Sequence, residues 1–363
     1  MSEFASIELV SINIKNKFDD NNKNNLAILY AFNSTGKTRM STIIQDENEE
    51  EVLCYNAFTE DLFWWDNKNL VFKVSPDSWI VNFINEQGLE NDIIDNYKEL
   101  VNTKVEPSFN LKNGEIVFYN ATGDDAAERN IKISRAEESI FIWSIFYTIL
   151  VTALDNLNVG KDDRTTECFN KLKYIIIDDP VSSIDDSKIV IMAIKLCEII
   201  NKYENDNYKL NFLITTHHAL FYNVLFNTLS RNKNNNYKFT PLILMKNNKV
   251  YELKEQKKDT PFGYHLTLID DIKKDIKNNS LQKYHFNLFR CLLEKTSNFL
   301  GYSNWAECVT GNNKQEFLRT VNLYSHSRLS DMEYSELTEH DKTIFIETFN
   351  AFIDEFKWGQ RNE

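Results

Sequence analysis

The sequence predicts an α/β domain built on a parallel sheet, followed by a mainly helical domain. Three observations carry that expectation. Short apolar runs at 26–30, 174–177 and 212–216 each stop at a polar cluster, as strands buried on both faces of a parallel sheet do at their C-terminal ends. Glycine and proline are scarce, at 9 and 5 in 363 residues, which favours helices and compact connections. Beyond residue 256 the pattern of runs and clusters stops, and apolar residues recur at helical spacing.

Composition bounds the function. Apolar residues make up 42% and charged residues 26%, the proportions of a soluble chain able to bury a sizeable core. The net charge of −13 opposes non-specific binding of polyanions, so any nucleic-acid contact should be local. Lysines gather between 246 and 283, nine against six acids. The five cysteines lie far apart without a CxxC pair, which offers neither a zinc site nor a disulfide framework. The N-terminus lacks the pattern of a signal peptide, and no apolar run of about 18 residues suggests a membrane span. A cytoplasmic protein is expected.

The first polar cluster is Ala31-Phe32-Asn33-Ser34-Thr35-Gly36-Lys37-Thr38, followed by helix-compatible residues from Arg39. Strand, turn and helix N-terminus in that order make a phosphate cradle. Asn33, Ser34, Thr35, Gly36, Lys37, Thr38 and Arg39 are the candidate nucleotide-binding residues: backbone N–H groups hold the phosphates, Lys37 neutralises the terminal oxygens, and the Thr38 hydroxyl ligates Mg²⁺. Ala31 replaces the usual first glycine, and Ser34 a second one. The next run ends in Asp178-Asp179-Pro180-Val181-Ser182-Ser183-Ile184-Asp185. Asp178 is placed to hold Mg²⁺, and Asp179 stands where ABC-type enzymes carry the carboxylate that polarises the attacking water. That residue is usually Glu, one methylene longer. Ser183 and Asp185 lie in the loop that ABC enzymes set across a dimer interface. The third run ends at His217, the position of the ABC switch histidine. These motifs in this order predict an ABC-type P-loop NTPase domain over 1–256, using GTP or ATP with Mg²⁺.

The ABC signature is less plain. Ser134, Arg135, Ala136, Glu137 and Glu138 precede a long apolar helix, with Ser134 and Glu137 the candidates to face a second protomer's nucleotide. Equally good local chemistry makes Ser134 a helix N-cap with acidic first-turn residues. Residues 67–132 read as an inserted arm before the signature. No transporter membrane domain accompanies the motor, and no heptad arm of the Rad50 or SMC kind fills the roughly 95 residues between cradle and signature.

Beyond the motor, 281–300 reads as an amphipathic helix closed by Gly301, with Phe286, Phe289, Leu292, Leu293 and Phe299 on its buried side. Arg290 and Glu294 are neighbours on one face of it, a spacing that by itself reads as a surface salt bridge. His218, His265, His285 and His340 read as structural.

Taken together, 55–63, 134–143, 178–186, 221–227, 284–301 and 324–330 resemble the PrrC-type anticodon nucleases over nearly the whole chain. Asn56 or Thr59 would fall near the family's Q-loop. The resemblance implies a tRNA anticodon nuclease domain over 257–363 in which Arg290, Glu294 and His326 cleave RNA without a metal. The RNA 2′-OH attacks, His326 and Glu294 move protons in an order the residues do not assign, and Arg290 offers a planar fork to the phosphorane. The products would be a 2′,3′-cyclic phosphate and a 5′-OH. Lys257, Lys258 and Asp259 resemble the region implicated in anticodon recognition, where Phe262 and Tyr264 offer stacking surfaces. The family further implies tRNA-Lys as substrate, cut 5′ of the wobble base, dTTP as a stabilising ligand and a homodimer or larger homo-oligomer. A type I restriction–modification complex would silence the toxin until phage infection. The rival reading is an ABC-type defence ATPase or DNA-end sensor with no nuclease of its own.

Overall fold

A computed structural model describes residues 2–19, 23–120, 130–181, 184–205, 208–231, 237–247, 250–256, 264–311, 313–326 and 337–357. It divides into two compact units, Met1–Pro261 and Phe262–Glu363, where the sequence placed the division at 256/257.

The first unit is built on a seven-stranded sheet. Its parallel part runs β10 (Tyr237–Asn247), β2 (Asn24–Ala31), β9 (Asn211–Thr216), β8 (Tyr174–Asp178) and β3 (Val52–Tyr55). Strands β11 (Val250–Glu255) and β1 (Ser2–Phe4) extend the edge beyond β10 in antiparallel pairing. Along β2 the period-2 alternation sends Leu26, Ile28 and Tyr30 to one core and Ala27, Leu29 and Ala31 to another. The same split places Ile175 and Ile177 of β8 opposite Tyr174 and Ile176. Helices α6 (Arg135–Asn158), α7 (Asp186–Lys202) and α8 (Ala219–Leu229) fill the first core, while α1 (Ile7–Asp19) and α2 (Lys37–Glu47) fill the second. Both faces are therefore covered, which explains runs that are apolar at every position. Parallel strands covered by helices, with the cradle at a strand-to-helix turn, make this an ABC-type P-loop α/β domain.

The segment 67–132 supplies most of a second, antiparallel sheet. Its strand order is β4 (Phe63–Asp66), β5 (Val71–Val74), β7 (Glu115–Asn120) and β6 (Val105–Asn110). Helices α4 (Trp79–Gln87) and α5 (Glu90–Val101) lie within the same segment, and short α3 (Ala57–Glu60) precedes it. The rings of Phe72, Tyr97, Phe109 and Phe118 all meet Phe141 on α6. The segment thus shares the main core rather than standing as a separate arm. One expectation is corrected here. Helix α6 has the length and apolarity to cross a membrane, yet 83% of its apolar window is buried in this core.

The second unit packs α9 (Tyr264–Lys277), α10 (Tyr284–Leu300), α11 (Lys314–His326) and α12 (Glu339–Phe356). Phe286, Phe289, Leu292 and Leu293 of α10 meet Phe317 and Val321 of α11 and Phe345, Phe349 and Phe352 of α12. Gly301 closes α10 at φ 74°, a conformation that suits glycine. Phe299 is 85% exposed, against its expected burial. It sits in the last turn, about 80° round the helix from Phe289 and outside the packed arc.

Candidate functional site

Three adjacent parallel strands end side by side. Tyr30 of β2 pairs with Thr216 of β9, and Asp178 of β8 pairs with Thr215. The turn after β2, the carboxylates after β8 and the histidine after β9 therefore meet at the C-terminal edge of the sheet, where open α/β folds bind ligands.

The turn is shaped by two left-handed residues, Ser34 at φ 65° and Gly36 at φ 98°. Gly36 also lies against helix α1, since a Cβ there would sit 3.3 Å from Ile7 Cγ1. Thr35 closes the turn by donating its hydroxyl to the Phe32 carbonyl at 2.6 Å. Lys37 opens α2 with its side chain only 6% exposed. Its ammonium donates to the carbonyls of Ala31 (3.1 Å) and Phe32 (3.2 Å) and to Asn33 Oδ1 (3.4 Å), and lies 3.5 Å from Asp179 Oδ2. Arg39 points elsewhere, pairing with Glu8 on α1, and is 71% exposed.

Asp178 is 4% exposed and accepts a hydrogen bond from the Thr215 hydroxyl. Burial pushes its carboxyl above the usual range, offset in part by the hydroxyls of Thr215 and Thr38 and by Lys37. A buried carboxylate beside a threonine hydroxyl and a lysine suits a hydrated Mg²⁺ with phosphate, which would restore the missing positive charge. Asp179 adopts φ 54°, uncommon for a residue with a side chain. Its carboxylate is gripped from one side: His217 Nδ1 lies 2.6 Å from Oδ2, while the His217 backbone N–H (3.2 Å) and the Thr216 hydroxyl (3.3 Å) donate to Oδ1. Burial raises its pKa, but the His217 hydrogen bond and the charges of Lys37 and His217 outweigh that and hold it below the ordinary value. Asp179, His217 and Lys37 thus form one contact network.

Ser134 caps α6, and a full capping box forms: the Glu137 N–H donates to Ser134 Oγ at 3.3 Å, and the Ser134 N–H donates to Glu137 Oε2 at 2.8 Å. The capping reading of this segment is therefore met. Asp185 stands at the start of α7 without capping it through its side chain, and Ser183 lies outside the described residues. Asn56 and Thr59 are joined in the capping box of α3.

In the second unit, Arg290 Nε donates to Glu294 Oε1 at 2.8 Å. The Arg290 guanidinium also lies over the indole of Trp305, 5.1 Å from the ring centroid. No spacing rule pointed to Trp305, because it belongs to a separate 3-10 turn, Trp305–Cys308. His326 is the last residue of α11, and its side chain lies outside the described residues. The run of that helix is clear from its neighbours. Phe317 meets Phe286 and Phe289, whereas Tyr324 meets Phe286 and lies beneath Lys283. Helix α11 therefore packs on the first half of α10, with Phe317 reaching Phe289 and Tyr324 reaching Lys283. Lys257, Lys258 and Asp259 lie outside the described residues, as do Phe262 and the side chains of Tyr264 and His265. His285 is 1% exposed, accepts from the Gln282 N–H at 2.9 Å and meets Asp275 through Nε2 at 2.9 Å, a structural role. His340 is an exposed partner of Glu316. His218 faces Asp186 at 3.8 Å.

No family model matches the chain. It is 38% identical over 360 residues to a curated anticodon nuclease of Escherichia coli, an alignment spanning 91% of this chain and 88% of that protein. Among solved structures, the SMC head domain from Thermotoga maritima overlaps 64% of this chain and 91% of its own, at 9% identity and a TM-score of 0.31. An SMC head bound to the C-terminal winged-helix domain of ScpA overlaps 65% of this chain and 91% of its own, at 9% identity and a TM-score of 0.35. These overlaps are slight, and the ABC-type assignment rests on strand order and motifs.

Proposed function

Because this chain belongs to the anticodon nuclease family, we propose that it is a tRNA anticodon endoribonuclease switched by an ABC-type NTPase domain. The observation that carries this reading is the extent of the likeness. It spans 91% of the chain, so it takes in the motor and most of the helical unit together.

In the motor, the turn 31–38 would cradle the phosphates of GTP or ATP. Thr38 and Asp178 would hold Mg²⁺, which supplies charge neutralisation between the β- and γ-phosphates. Asp179 orients the attacking water, and His217 positions Asp179. Lys37 exchanges its contacts with loop carbonyls and Asp179 for phosphate oxygens. Ser134, Glu137, Ser183 and Asp185 would meet the nucleotide of a second copy in a head-to-tail dimer, and dTTP would act as a stabilising ligand.

In the helical unit, Arg290, Glu294 and His326 would act on one phosphodiester. The RNA supplies the 2′-OH nucleophile. A base removes its proton as the P–O bond forms, and an acid protonates the departing 5′-oxygen, which leaves a 2′,3′-cyclic phosphate and a 5′-OH. Arg290 holds the phosphorane oxygens with the donors that Glu294 does not use. Helix geometry supports the pairing of Arg290 with Glu294, which lies about 6 Å further along α10 on the same face and accepts from Arg290 Nε at 2.8 Å. Substrate tRNA-Lys, cleavage 5′ of the wobble base, recognition through Lys257, Lys258 and Asp259, and silencing by a type I restriction–modification complex in antiphage defence complete the proposal.

The test incubates full-length protein with total tRNA, GTP and controlled Mg²⁺, and maps the cut ends. Arg290→Ala and His326→Ala should each abolish cutting and leave nucleotide hydrolysis intact. If both variants still cut, the site is wrong. If the wild type cuts no RNA, the rival reading of an ABC switch without nuclease activity replaces this one.

A further inference from the structure

The Arg290–Trp305 contact belongs to no motif, and its geometry points to a positioning role. We infer that Trp305 is the plate that fixes the Arg290 guanidinium for phosphate recognition, so that an indole off the helix helps set the rate of RNA cleavage. The inference rests on the cleavage reading above.

An arginine on an exposed helix face ordinarily samples many rotamers, and a fork that must meet a phosphorane loses rate to that freedom. Here two partners restrict it from different directions. Glu294 accepts from Nε at 2.8 Å, which fixes the guanidinium in its own plane. The Trp305 ring, 5.1 Å from the guanidinium carbon, restrains the face of that plane. The hydrogen bond to Glu294 is made through Nε and not through the two Nη groups of the fork.

The plate is itself anchored. Asn304 caps the 3-10 turn by accepting from the Ala306 N–H at 2.8 Å. Cys308 and Val309 follow at 0% and 2% exposure, within the same core as Phe289 and Leu293. Trp305 packs against that core while presenting its ring to Arg290. The Arg290 side chain stays 26% exposed, so it remains reachable by a polyanion. A buried salt bridge would hide the fork, and a free surface arginine would not hold it still.

The experiment compares Trp305→Phe, Trp305→Leu and Trp305→Ala in the full chain under single-turnover conditions with saturating tRNA. Nucleotide hydrolysis and thermal midpoint are measured alongside. Phenylalanine keeps a π face and should retain most of the cleavage rate. Leucine fills comparable space without that face, and should slow cleavage about 3- to 30-fold, the worth of a partly desolvated cation–π contact, with tRNA affinity little changed. The leucine variant keeps the comparison decisive even if alanine unfolds the unit. Equal rates for Phe and Leu variants of equal stability would overturn the inference and leave the nuclease reading in place. Cleavage by Arg290→Ala at the wild-type rate would instead remove the nuclease reading beneath it.

Discussion

Replacing Asp179 with asparagine isolates the charge of the motor's proposed base. Asparagine has nearly the same shape and tolerates φ 54° as aspartate does, so backbone strain cancels in the comparison. The amide oxygen can still accept from the His217 N–H and Thr216 hydroxyl, at 3.2 and 3.3 Å in the wild type. What is lost is the anion at Oδ2, which lies 2.6 Å from His217 Nδ1 and 3.5 Å from the Lys37 ammonium. A hydrogen bond to a charged group contributes about 1.5–3 kcal/mol. Lys37 keeps three oxygen acceptors, which places the loss near the lower end. The expected destabilisation is about 2 kcal/mol, or roughly 4–8 °C in midpoint for a unit of this size.

The functional consequences separate cleanly. Nucleotide hydrolysis should fall by about two to four orders of magnitude, the usual cost of removing a general base. Nucleotide affinity should hold or rise, because Lys37 no longer has an anionic competitor for the phosphates. Calorimetric titration with GTP and ATP, steady-state hydrolysis and a thermal scan of the nucleotide-free protein measure all three. An Asp179→Asn protein that hydrolyses within threefold of the wild type would refute the assignment. So would one that loses nucleotide binding, since Asp179 would then be building the cradle rather than acting on water.

Gly36→Ala forces a side chain into φ 98° and against Ile7, and should cost about 1–2 kcal/mol while abolishing nucleotide binding by calorimetry. Asp275 offers a pH test within the helical unit. Burial raises its pKa, but Ser280 and His285 outweigh this and hold it below the ordinary carboxylate value. A depressed folded pKa means a stabilisation that is present above the unfolded value of about 3.9 and lost as pH falls through the folded one. Asp275→Asn should therefore lower the unfolding midpoint at about pH 7, and that difference should shrink as the pH falls below the ordinary carboxylate value and through the lowered one. A gap that stays constant with pH would assign its effect to packing.

Much of the motor was legible because its strands are buried on both faces. Continuous apolar runs at β2, β8 and β9 end at residues whose chemistry is specific. The second sheet was not legible. Its strands are only 4 to 6 residues long and two helices interrupt them, so 67–132 read only as an inserted arm, with no sign of its sheet or of its packing against Phe141. The N-terminal capping box of α6 was written in Ser134 and Glu137. The grip on Asp179 was not, because it depends on a left-handed backbone and on the register of β8 with β9. Trp305 escaped for a similar reason. Spacing rules relate residues on one element, and the indole reaches Arg290 from another.

That distinction also bears on how a chain of net charge −13 would cut RNA. Bulk attraction is unavailable, so recognition has to come from a few cations held in place. On the proposed reading Arg290 suits that requirement, because Glu294 and Trp305 hold its guanidinium. In-line cleavage places the attacking 2′-oxygen and the leaving 5′-oxygen on opposite sides of phosphorus, so the two proton-transfer groups must approach from opposite sides. On the same reading Arg290 and Glu294 share one face of α10, and the second proton-transfer group would come from another helix, α11, whose last residue is His326.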